Sequence, residues 1–318
     1  MIRHINKIFF SVLAVAATSC TGEFEKINSN PYEPGDLTAD DYALGSQLNN
    51  VASCVMSSDV NTVQFTDALL GGPLGGYYSD ANAGFADSFA RYNPKNDWSR
   101  VFMKSDRIIP TLYANYSQIE ALSSNSGNPV PLAIATIIKV AAMSRVTDCY
   151  GPIPYSAIGE STDLAVPYDS QEQIYDTFFD ELTKATKTLQ ENLGSRLSKN
   201  CDYVYYGDPA KWILFGNSLK LRLAMRISFV APDKAKTMAE EAVRGGAIEH
   251  SADNATWKYF NSITNPLYTA VNYNNDGSVT GGDTHAAADI ICYMNGYSDP
   301  RRAAYVLPST FDGIEYVG

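Results

Sequence analysis

Apolar residues recur at helical spacing along most of this chain. From Trp98, the series Val101, Ser105, Ile108, Leu112, Tyr116, Ile119 and Leu122 predicts a helix capped by Asp97, with Pro110 expected to kink or break it. Pro131 opens a second apolar helix that reaches about Asp148. Its core, residues 132–146, is interrupted by Lys139 and Arg145, so it reads as a buried helix and not as a membrane span. Ser170-Gln171-Glu172-Gln173 is a capping-box pattern. Behind it Ile174, Phe178, Leu182, Ala185, Leu189 and Leu193 form one stripe, stopped by Gly194. Asp208-Pro209 starts a further helix with Trp212, Phe215, Leu219 and Leu223 inward, ending near Pro232. Shorter helices are predicted over residues 39–56, from Asp233 to the stop at Gly245-Gly246, and over residues 284–296.

Residues 57–97 and 261–284 lack such periodicity and read as irregular. Strand patterns are few and short, so helix pairs joined by turns predict stacked helical hairpins. No clean tetratricopeptide consensus is present.

The N-terminus has a different pattern. Arg3 and Lys7 precede an apolar run at residues 8–17, too short to span a bilayer. Ala17-Thr18-Ser19-Cys20 then resembles a bacterial lipobox, in which Cys20 becomes the lipidated first residue. The expected organisation is a signal peptide at 1–19, a polar tether at 20–38 and a single helical domain at 39–318.

The net charge of −11 argues against nucleic acid and anionic headgroups as partners. It suits a neutral ligand or a protein. Besides Cys20 the cysteines are Cys54, Cys149, Cys201 and Cys292; they form no CxxC pair, and their pairing stays open. Past the signal only His250 and His285 remain, with no GxSxG, HExxH or Gly-Lys-Ser/Thr loop, which speaks against an enzyme.

Tyr is the unusual count, at 21 against 3 Trp. Its apolar face and polar tip suit sugar or peptide surfaces. Aromatics crowd the Gly-rich stretch after residue 71, and Tyr77, Tyr78, Asn82, Phe89, Arg91, Tyr92 and Asn96 are the candidate ligand contacts. The alternative is that these rings fasten a long loop to the core. A second pattern, Asn272, Asn274, Asp276, Ser278 and Asp283, has the spacing of an EF-hand-type calcium loop. Asn in first place, a short Asp in last place and only two carboxylates favour a metal-free polar loop. No other cofactor is expected.

Several segments together resemble the SusD/RagB family of outer-membrane nutrient-binding lipoproteins. They are Phe24-Glu25-Lys26-Ile27-Asn28-Ser29-Asn30-Pro31, Thr147-Asp148-Cys149-Tyr150-Gly151-Pro152-Ile153-Pro154-Tyr155, Tyr168-Asp169-Ser170-Gln171-Glu172-Gln173-Ile174-Tyr175, the run from Lys211 to Ile227, and Asp299-Pro300-Arg301. The resemblance implies a mainly α fold, with tetratricopeptide-like hairpins packed with an irregular, loop-rich ligand-facing part. It implies a lipid-anchored, cell-surface protein of the outer membrane. Such a protein captures an oligosaccharide and passes it to a SusC-like TonB-dependent transporter. A peptide receptor on the same scaffold, or a helical-repeat scaffold without a ligand, are the alternatives. Family chains usually continue well past the Asp-Pro-Arg segment, so the resemblance implies that this sequence is either a fragment or a reduced form, with loops of the family's ligand face outside it.

Overall fold

The computed structural model describes residues 39–80, 108–159, 165–257, 263–273, 282–311 and 314–316. The chain divides into two units, 1–42 and 43–318, and the architecture below is that of the second.

Helix α1 covers Ala39–Ser53. Helix α2 starts at Val60–Val63, where Asp59 accepts the Thr62 N–H at 2.8 Å as N-cap. It then widens into a π-helix over Gln64–Gly71 and closes with Gly72–Leu74. This segment was expected to be irregular. A π-helical stretch shifts the inward face away from a 3.6-residue repeat, so the buried Thr66, Ala68 and Leu69 leave no helical stripe to read. Strand β1, Tyr78–Asp80, follows.

Five longer helices build the core: α3 (Ile108–Ser126), α4 (Val130–Tyr150), α5 (Gln171–Glu191), α6 (Pro209–Arg226) and α7 (Pro232–Arg244). Each packs on the next, and α4 also meets α6. The short connections at residues 127–129 and 227–231 make their flanking helices antiparallel neighbours. The result is the expected stack of helical hairpins. Pro110, expected to break a helix, is the third residue of α3, where a first-turn N–H has no intrahelical acceptor to lose. The part of that prediction before Ile108 lies outside the described residues.

Helix α4 is apolar and long enough to cross a membrane, but 83% of its apolar window is buried inside the protein. Its two cations have partners. Lys139 Nζ lies 2.8 Å from Glu181 Oε1 and over the rings of Tyr116 (4.6 Å) and Tyr155 (5.0 Å). Tyr155 donates to the other Glu181 oxygen at 2.5 Å, and burial, with Glu181 beside it, raises its pKa well above the usual phenol value.

The Ser170 box forms as read: Ser170 Oγ accepts the Gln173 N–H, and the Gln173 amide oxygen accepts the Ser170 N–H at 3.0 Å. Leu193 departs from its predicted stripe, because α5 ends at Glu191 and leaves it exposed. Asp208 caps α6, which ends at Arg226, earlier than predicted. In α6 Trp212, Leu219 and Leu223 are buried, and Phe215 is half-buried against the same core.

After a 3-10 turn at Ser251–Asp253 come α8 (Pro266–Val271), β2 (Thr284–Ala286), α9 (Ala288–Gly296), α10 (Arg302–Tyr305) and the strands β3 (Ser309–Phe311) and β4 (Ile314–Tyr316). Strands β1 and β2 pair antiparallel, Tyr78 with Ala286, Ser79 with His285 and Asp80 with Thr284; β3 and β4 form a second antiparallel pair.

Candidate functional site

The Gly-rich segment after α2 is held by backbone bonds to a distant part of the chain. Tyr77 N–H donates back to Gly72 O at 2.8 Å, which sets the turn. Ala287 N–H then donates to Tyr77 O at 3.0 Å and Ile290 N–H to Gly76 O at 3.1 Å, so the turn is fastened to the start of α9. Gly76 has φ +71°, and a Cβ there would stand 3.1 Å from Cβ of Asp289.

The two tyrosines here behave differently. Tyr78 is half-buried, with its ring laid on Gly72: a Cβ at Gly72 would come within 2.2 Å of Tyr78 Cδ2. Tyr78 thus helps fasten the segment; the Tyr77 ring likewise lies over Gly75, where a Cβ would come within 2.9 Å of its Cδ2. Tyr77 is 57% exposed. Next to it Asp289 is exposed on α9, followed one turn on by Tyr293 (68% exposed) and then by Tyr297 (82%), the C-cap residue. Met294, adjacent to Tyr293 on α9, is buried. The candidate site is thus three exposed tyrosines, Tyr77 beside the start of α9 and Tyr293 and Tyr297 along it, with the exposed Asp289 between Tyr77 and Tyr293.

Of these four residues only Tyr77 was among the candidates read from the sequence; Asp289, Tyr293 and Tyr297 were not. The signal was present: inward Ile290 and Met294 at i, i+4 imply that Asp289 and Tyr293 share the outward face. The pairing of β1 with β2, across about 200 residues, is what no local pattern announces. The other candidate contacts, Asn82, Phe89, Arg91, Tyr92 and Asn96, lie outside the described residues.

Of the calcium-like set, Asn274, Asp276 and Ser278 also lie outside the described residues. Asn272 is the C-cap of α8, where its side-chain amide donates to Tyr268 O at 2.8 Å. Asp283 is buried, and its N–H donates to Tyr273 O. Among the described residues no three His, Cys, Asp or Glu side chains are placed to hold a metal ion.

A separate concave feature is lined by residues of α4 and α6, among others. It is a cavity of about 830 Å³ whose lining includes Arg145, Arg222, Asp67, Phe215 and Trp257. Trp212 forms part of its floor, buried to 2% and donating from Nε1 to Asp202 at 2.7 Å. Nearby, burial pushes the Cys149 thiol up to about 11, with Arg145 pulling the other way, so it stays a protonated thiol at neutral pH.

The sequence profile of the SusD-like family, described as Susd and RagB outer membrane lipoprotein, matches residues 26–318, and the chain belongs to that family. Solved structures agree. A SusD homolog from Bacteroides uniformis is 60% identical, with a TM-score of 0.78 over 87% of this chain and 57% of that one. One from Bacteroides thetaiotaomicron is 35% identical, with a TM-score of 0.71 over 86% and 54%. A chitin-binding SusD homolog from Flavobacterium johnsoniae is 27% identical, with a TM-score of 0.70 over 85% and 56%. The chain thus spans little more than half the length of these solved relatives. A search of curated protein sequences gives no significant match.

Proposed function

We propose that this protein captures an oligosaccharide at the outer membrane and hands it to a SusC-like TonB-dependent transporter, without transforming it. In this reading residues 1–19 are a signal peptide, lipid on Cys20 is the anchor and residues 20–38 are the tether to a helical domain. The observation that carries the ligand class is the group of exposed tyrosines, Tyr77, Tyr293 and Tyr297, with Asp289. A sugar ring offers an apolar C–H face to an aromatic platform and hydroxyls to a carboxylate, and this group supplies both. A chitin-binding relative on the same fold supports a glycan over a peptide. The double variant Tyr77→Ala/Tyr293→Ala tests it on a glycan array followed by titration calorimetry. Losing two stacking contacts is expected to weaken binding about tenfold or more while the melting temperature stays within about 2 °C. Unchanged affinity would move the ligand face elsewhere, and binding of peptides alone would replace the glycan reading.

A further inference from the structure

We propose that the cavity lined by α4 and α6 is a second binding site, separate from the exposed tyrosines, for a carboxylate-bearing sugar (a uronate), with Arg222 as the group that reads the charge. None of Tyr77, Tyr293 and Tyr297 lines it. Its volume, about 830 Å³, falls in the range of roughly 300–1,000 Å³ typical of small-molecule pockets.

Two helical stripes contribute to the walls, beside residues of α1, α2 and the segment 248–267. Ile138, Ala141 and Arg145 come from α4; Phe215, Ser218 and Arg222 come from α6. The two guanidiniums on these stripes differ in what they already hold. Arg145 donates from Nη1 to Val55 O at 2.7 Å and from Nη2 to Asp67 Oδ2 at 3.1 Å, so its charge is answered. Arg222 makes no hydrogen bond or ion pair with any described residue. Its helix neighbour Arg226, one turn on, is paired with Asp148. Among the described residues the lining carries two guanidiniums against one carboxylate, a positive local balance in a chain of net charge −11. A planar guanidinium fork matches a carboxylate with two parallel hydrogen bonds.

The rest of the lining narrows the ligand. Phe215 and Trp257 are half-buried and offer flat apolar faces. Asn254 and Thr256, also in the lining, have side chains that make no hydrogen bond with a described residue, so they can serve ring hydroxyls. Inorganic phosphate would leave the aromatic faces unused, and a fatty acid would strand the amide and hydroxyl groups. A pyranose ring bearing a carboxylate uses all three.

The test is titration calorimetry on the 318-residue chain, purified in mild detergent. The probes are glucuronate and galacturonate oligomers, their methyl esters, the matching neutral oligomers and an acidic tripeptide. At least one uronate is expected to bind about tenfold or more tighter than its ester and its neutral counterpart. Arg222→Gln should remove that preference, and Arg222→Lys, which keeps the charge but loses the fork, should retain part of it. Tyr77→Ala/Tyr293→Ala should leave uronate affinity unchanged, which separates this site from the exposed tyrosines. The proposal is overturned if no uronate binds, if acid and ester bind alike, or if Arg222→Gln and Arg222→Lys both bind as the unaltered chain does. It is equally overturned if the tyrosine variant is the one that loses uronate, or if the tripeptide is the ligand whose binding Arg222 controls.

Discussion

At the residue scale, a few buried polar contacts add to the apolar core in ways that apolar patterning cannot show. Asp202 is the clearest. It is buried and accepts from Val204, Tyr205 and Gly207 N–H groups and from Trp212 Nε1. Trp212→Ala is expected to cost about 3–5 kcal/mol in a denaturant titration, because a large cavity opens beside a carboxylate that loses a donor. Trp212→Phe keeps most of the ring and isolates the hydrogen bond, at about 1–3 kcal/mol. A loss near zero for both would mean that this helix face is not core. Asp169 gives a pH dependence. Desolvation pushes its pKa up, but bonds from Ser156 N–H (2.7 Å), Ser156 Oγ (2.8 Å) and Tyr155 N–H (3.1 Å) outweigh it, and the net shift is downward. A lowered folded value stabilises the protein above the ordinary carboxylate pKa of about 3.9, and the gain disappears as pH falls through the folded value. The unaltered chain should therefore exceed Asp169→Asn in stability at pH 7, with the gap closing below about pH 4. A gap of constant size as the pH is lowered from 7 through the carboxylate range would assign the loss to packing.

At the element scale, the helices whose ends carry capping chemistry were legible. Ser170, Asp208 and Gly245 mark real boundaries, since each is set by a local hydrogen bond or a helix stop that the sequence itself encodes. Ser170→Ala should cost about 1 kcal/mol, measured by urea unfolding. What was not legible is α2, and Gly71-Gly72-Pro73 explains why. These residues read as a turn, yet Pro73 occupies the first turn of the closing segment and Gly72 is buried under the Tyr78 ring. Glycine is needed there for close approach and not for flexibility. Gly72→Ala would bring a Cβ within 2.2 Å of Tyr78 Cδ2 and 2.8 Å of Asp67 O, so it should lower the melting temperature. It should also expose Tyr78, read as faster chemical modification of that ring. An unchanged modification rate would mean that Tyr78 is not seated on Gly72. The same dependence on partners distant in sequence hid the candidate site, because Tyr77 meets Asp289 only through the β1–β2 pairing.

At the scale of the whole molecule, the question is what holds the protein to a membrane. Helix α4 has the length and apolarity to do so, but it is packed between α3, α5 and α6, and Lys139 is neutralised inside by Glu181. Drawing it into lipid would dismantle the core and leave that ion pair in hydrocarbon, a cost of several kcal/mol per ion. The net charge of −11 repels anionic headgroups. Under the proposed function lipid on Cys20 is the anchor, and a diacyl group with a further acyl chain would give the multiple-chain attachment that stable retention requires. Cys20→Ala is therefore expected to move the protein from the membrane pellet to the soluble fraction with its melting temperature unchanged. Retention of Cys20→Ala in membranes washed with high salt would reject lipid as the anchor. Retention that depends on a co-expressed transporter would instead locate the attachment in a protein interface, and would make the outer face of the stack the next surface to map.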